Sequence, residues 1–108
     1  MPIVYITNRG PHDYSGAEHF GELVFCTDGP VDKFDTSQMY RELDAELSDS
    51  ESNDYILLTS LTSLCSIACA IFASKHQRLN LLIHKGDGYL ARSLVFDNST
   101  KDLNGNQT

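Results

Sequence analysis

The chain has 108 residues, 41% hydrophobic and 21% charged, which is a globular composition with room for one domain. Intrinsic disorder, collagen-like repeats and low-complexity architectures are excluded. Eight Lys and Arg against fifteen Asp and Glu give a net charge of −7, so broad electrostatic binding to nucleic acid or anionic lipid is excluded as well.

Ile3-Val4-Tyr5-Ile6-Thr7 is a β-branched run that predicts a first strand, closed by Asn8-Arg9-Gly10-Pro11. Ser15 with Glu18 three residues on has the form of a capping box, and Gly21 suits the end of a helix of barely two turns. Leu23–Cys26 predicts a second strand, followed by the turn residues Asp28-Gly29-Pro30. Asp35 with Gln38 predicts a capped helix over about 36–47, with Met39, Tyr40, Leu43 and Leu47 on its inner face. The polar stretch 48–53 reads as an exposed connector.

Tyr55–Thr59 is apolar without alternation, as expected of a strand covered on both faces. Ser60–Ser63 leads into a helix ending near His76 that is small or apolar nearly all round. Its Ala68, Cys69, Ala70 and Ala73 allow close packing on a sheet, and Lys75 and His76 suit its negative end. Leu79–His84, the turn Lys85-Gly86-Asp87-Gly88 and Tyr89–Phe96 predict an antiparallel hairpin.

This alternation predicts an α/β domain over 1–97: a small Rossmann-like three-layer fold, its sheet mostly parallel with right-handed crossovers and a C-terminal antiparallel hairpin. Residues 98–108 read as a polar tail. The longest apolar stretch is broken by Thr59, Ser60, Thr62, Ser63 and Ser66, so no membrane span is expected. The N-terminus lacks a charged segment followed by an apolar one, so no secretory signal is expected, and three unpaired cysteines favour the cytoplasm.

Ligands of open α/β sheets bind beyond the carboxyl ends of strands where the strand order reverses. Two loops qualify, the one after the first strand (Asn8, Arg9, His12, Asp13) and the one before the second long helix (Thr59, Ser60, Thr62, Ser63). Backbone N–H groups at that helix start, hydroxyls beside them and the Arg9 guanidinium suit a phosphate or carboxylate. His12 and Asp13 have the chemistry of an acid/base pair, with Glu18 as a second carboxylate. Plainer roles compete: helix capping for the hydroxyls, an Arg9–Asp13 pair, turn formation for His12 and Asp13, and structural or solvent-facing places for His76 and His84. Cys65 and Cys69, four apart, read as core thiols; no metal site and no cofactor are expected.

The runs Asn8–Gly21 and Asp54–Leu64 resemble small proteins encoded by tailed bacteriophages. That resemblance, spanning most of 3–96, implies a bacterial-host cytoplasmic setting and a viral role, and carries no activity with it. Two readings follow. One is a binder of a nucleotide-like or phosphorylated small molecule, deepened by homo-oligomerisation. The other is a non-catalytic module contacting a host or virion protein through the acidic helix 36–47 and its loop.

Overall fold

The computed structural model describes residues 1–96, so the tail at 98–108 lies outside the described residues. Among the described residues five strands form one sheet: β1 (Ile3–Ile6), β2 (Glu22–Phe25), β3 (Tyr55–Leu57), β4 (Arg78–Lys85) and β5 (Gly88–Val95). Their order is β2-β1-β3-β4-β5, parallel throughout except for the antiparallel β4–β5 pair. Two helices, α1 (Thr36–Glu46) and α2 (Thr62–His76), complete the α/β fold. No helix among the described residues is long and apolar enough to cross a membrane.

Side chains alternate across the sheet and build two cores. Tyr5, Ile56 and Leu79 face the helices and pack with Met39, Leu43, Leu47, Leu64, Ala68 and Phe72. Val4, Ile6, Leu57 and Leu82 face the other way and meet Tyr14 and Ala17. Strand β3 is therefore sealed on both sides, as its unbroken apolar run requires. The third layer is thin: the β1–β2 connector with one 3₁₀ turn, Ser15–Ala17.

That turn departs from the expected capping box. Asp13 accepts a hydrogen bond from the Ser15 N–H at 2.9 Å, and successive short-range bonds carry the chain to Gly21. Gly21 has a different task from ending a helix. A Cβ there would lie 2.2 Å from the Pro2 carbonyl oxygen, so its lack of a side chain is what lets β2 start beside β1.

Helix α1 starts as its sequence dictates, the Asp35 carboxylate accepting from the Gln38 N–H at 3.1 Å. Met39, Leu43 and Leu47 are buried, whereas Tyr40 is 52% exposed because it falls beside the inner stripe rather than within it. In α2, Ala70 likewise turns outward and Leu64, Cys65, Ala68 and Phe72 form the buried side. Lys75 reaches across to the carbonyl oxygens of Leu47 and Ser48, so it closes the end of α1 rather than its own helix. The connector after α1 is anchored too: Ser50 is buried, donates to the Leu47 carbonyl and meets His76 Nε2 at 2.8 Å.

Opposite the candidate site, Asp54 and Asn80 tie the amino ends of the strands together. The Asp54 carboxylate accepts from the backbone N–H groups of Ile3 and Glu51 at 2.8 and 2.7 Å. The Asn80 amide donates to the Ser52 and Asp54 carbonyls at 2.8 Å, while its oxygen accepts from Arg78 and Ser93.

Candidate functional site

Chain order reverses between β1 and β3: β1 leads outward to β2 on one side, and β3 leads to β4 on the other. The two loops singled out in the sequence therefore leave adjacent strands at the same end of the sheet. Thr7 and Thr59 join them through their hydroxyls at 2.9 Å. Below this pair the Cys65 thiol lies 3.4 Å from Thr7 Oγ1 and accepts from the Thr59 N–H at 3.3 Å. Cys65 is thus a polar rivet between the end of β3 and the first turns of α2. Thr27 extends the floor, its single hydroxyl proton shared between the Thr7 carbonyl and Asn8 Oδ1, both at 2.8 Å.

Above the floor the surface opens as a cleft with two lobes. One, of about 360 Å³, runs between Asn8, His12 and Tyr14 on one wall and Pro30, Val31, Thr59 and Ser60 on the other. The second, of about 290 Å³, continues past Asp13 to His84 and Tyr89 at the hairpin end. Rings line both. His12 meets Tyr14 edge-on with centroids 6.2 Å apart, and His84 meets Tyr89 likewise at 5.4 Å. Burial, with Tyr14 and Asp13 nearby, pushes the Tyr89 phenol up from its ordinary range, so it stays a neutral donor.

The first turn of α2 has no side-chain cap. Leu61 occupies the cap position, and the first helical bond recorded there runs from the Cys65 N–H to the Leu61 carbonyl. Ser63 is turned away, its hydroxyl donating to the Lys33 carbonyl at 3.2 Å, and Thr62 accepts through its carbonyl from Ser66. Capping, the plain reading of this hydroxyl-rich stretch, is therefore not what these side chains do. Among the described residues no side chain caps the N–H groups at this helix start.

Of the residues expected at the site, the fold brings Asn8, His12, Asp13, Thr59 and Ser60 to the cleft wall. Thr62 and Ser63 lie at the helix start and outside both linings. Arg9 is elsewhere. Its guanidinium lies 3.7 Å from the Phe25 ring centroid and its Nε 3.4 Å from Asp28, so it pairs along the β1–β2 ladder and not with Asp13. The Asp13 carboxylate is held by Ser15, which lowers its pKa, and the His12 ring packs on Tyr14. Those two residues thus serve as turn and wall.

Tyr14, His84 and Tyr89 belong to the cleft without having been singled out for it. Tyr14 carried no signal beyond being aromatic. His84 and Tyr89 are detectable only through the hairpin: their register pairing places both rings at the carboxyl end of β4, two residues past Leu82, the partner of the last β3 residue Leu57. The other two cysteines behave as core thiols. Burial pushes Cys26 up to about 12 and Cys69 up to about 11, so both stay protonated and unreactive near neutral pH. Among the described residues there is no cluster of His, Cys, Asp or Glu able to hold a metal.

Residues 2–96 match a family profile described as Phage Pam3 gp32-like protein. No curated protein and no solved structure matches the chain.

Proposed function

The chain belongs to this family of phage-encoded proteins, and on that premise we propose that its cleft binds a nucleotide-like or phosphorylated small molecule in the host cytoplasm. One observation carries the reading: four rings, His12, Tyr14, His84 and Tyr89, converge with Ser60 and with Leu61, the cap residue of α2, where the strand order reverses. The rings offer a planar group apolar faces with polar edges. The N–H groups at the start of α2 and the Ser60 hydroxyl offer donors to an anionic group. Asn8 supplies a side-chain amide already oriented by Thr27. Arg9, paired with Asp28, stands outside this set.

The reading is tested by thermal shift against nucleoside mono-, di- and triphosphates, cyclic nucleotides and phosphosugars. A ligand at one hundred times its dissociation constant stabilises by about 2.7 kcal/mol. One chemical class should raise the melting temperature, and Tyr89→Ala or His12→Ala should abolish the rise while Arg9→Ala preserves it. A flat screen, or a rise insensitive to Tyr89 and His12, defeats the reading.

A second reading rests on the outer surface of the helices. A broad groove between α1 and α2 is bordered by the exposed Tyr40, by Ile67 and Ile71, and by Arg41, Asp44 and Lys75. A host or virion protein seated there would meet apolar side chains rimmed by charge. Charge reversal at Asp44 and Glu46 weakens such a contact and leaves the ligand screen unchanged.

A further inference from the structure

Strand β5 is an eight-residue edge strand, with β4 on one side and nothing on the other among the described residues. The Phe96 N–H donates to the Gln77 carbonyl at 3.0 Å, which fixes the phase of the antiparallel ladder. Even-numbered residues of β5 turn their backbone groups toward β4, and Tyr89, Ala91, Ser93 and Val95 turn theirs outward. The Ala91 carbonyl bears this out, since the Arg92 side chain folds back to donate to it at 2.8 Å.

Among the described residues the flank beside this edge is apolar and exposed. Leu94, Val95 and Phe96 are 51, 66 and 42% exposed, and Ile83 on β4 is 37% exposed. Charge distinguishes it further. The hairpin carries Arg78, Lys85 and Arg92 against Asp87 alone, whereas residues 32–54 carry eight carboxylates against two cations. Two copies of a chain with net charge −7 meet with least repulsion at the hairpin.

We propose that β5 pairs antiparallel with β5 of a second copy about a two-fold axis through Arg92, joining two five-stranded sheets into one. In this register Ala91 faces Ser93 of the other copy and Tyr89 faces Val95, each as a hydrogen-bonded pair. Every outward N–H and C=O from 89 to 95 is then satisfied, and no neighbouring register that keeps side chains on matching faces does this. Leu90 faces Leu94 twice on the helix side, covering the flank, and Tyr89 faces Val95 on the other side. Such a contact is isologous and closed, so it ends at a dimer. Its one unfavourable element is Arg92 opposite Arg92, each released from its hold on Ala91. Arg92 therefore limits dimer affinity and guards the edge of the monomer.

Sedimentation velocity of the full chain over a dilution series tests this. A monomer–dimer equilibrium is expected, with amide exchange at Tyr89, Ala91, Ser93 and Val95 slowing as concentration rises. Ala91→Pro and Ser93→Pro each remove an outward N–H and none from the β4 ladder, so both should give monomers with unchanged circular dichroism. Arg92→Thr should tighten the dimer several-fold. A monomer at every concentration overturns the proposal, and so does a dimer that survives both proline substitutions or weakens with Arg92→Thr. Slow exchange of those four amides in the monomer also overturns it, because the edge is then covered by a segment of the same chain.

Discussion

Thr7 and Thr59, separated by 52 residues of chain, share a hydrogen bond of 2.9 Å that joins the carboxyl ends of β1 and β3 under the candidate cleft. Thr7 is fully buried and its hydroxyl also meets the Cys65 thiol. Thr7→Val keeps the shape and removes both contacts, so it should lower unfolding stability by about 1 kcal/mol. Chemical denaturation measures this as a lower midpoint at constant slope. An unchanged midpoint means that the hydroxyl pair holds nothing together.

Asn80 performs the matching task at the other end of the strands. Asn80→Ala leaves the Ser52 and Asp54 carbonyls without their donor, one of them buried, and should cost about 2–3 kcal/mol. Asn80→Asp is expected to be as damaging, since it places an acceptor against two acceptors. The comparison of both variants by urea denaturation separates this network from a mere loss of volume, for which aspartate would be neutral.

How much of this was readable beforehand follows the range of each interaction. The Asp35–Gln38 cap, the two-sided burial of β3 and the hairpin turn after Lys85 are local or periodic, and each stands where its residues indicate. The crevice was legible too, because it depends on strand order and on which loops leave adjacent strand ends. What escaped was pairing between distant segments. Nothing local to Arg9 announces that Phe25 will lie under its guanidinium, and nothing near Asp54 announces the Ile3 amide 51 residues away. Lys75 and His76 stand at a helix end, as their place in the sequence indicates, but the carbonyls and hydroxyl they serve belong to the end of α1 and its connector.

Stability should respond to pH through His76. Burial, with Lys75 beside it, holds its imidazole below the ordinary value of 6.5. Between that value and the lower folded one, the unfolded chain binds a proton that the folded chain refuses. The contribution of His76 is therefore full above about 6.5, is lost as pH falls through the window, and levels off below the folded pKa. Melting temperatures taken across this range should fall on acidification, and His76→Gln should flatten the slope. A slope unaltered by the substitution assigns the titration to another group.

Gly21 offers a steric test. With a Cβ 2.2 Å from the Pro2 carbonyl oxygen, backbone must move against backbone, and Gly21→Ala should destabilise by about 1–3 kcal/mol. Gly88→Ala is the control, since a Cβ there meets nothing within 4 Å. Equal thermal stability of the two variants would remove the close approach as the reason for glycine at position 21.

Tyr14 lies in the core cluster on the helix-free side of the sheet and at the same time forms a wall of the cleft. The cover of that half of the interior and the rim of the opening are thus one stretch of chain. A molecule gripping the rim would restrain the lid of the hydrophobic interior, so occupancy and local unfolding are thermodynamically linked. Saturation should therefore retard amide exchange in the sheet beneath Tyr14 more than at the solvent-exposed amides of α1, reporting the ligand at positions it never touches.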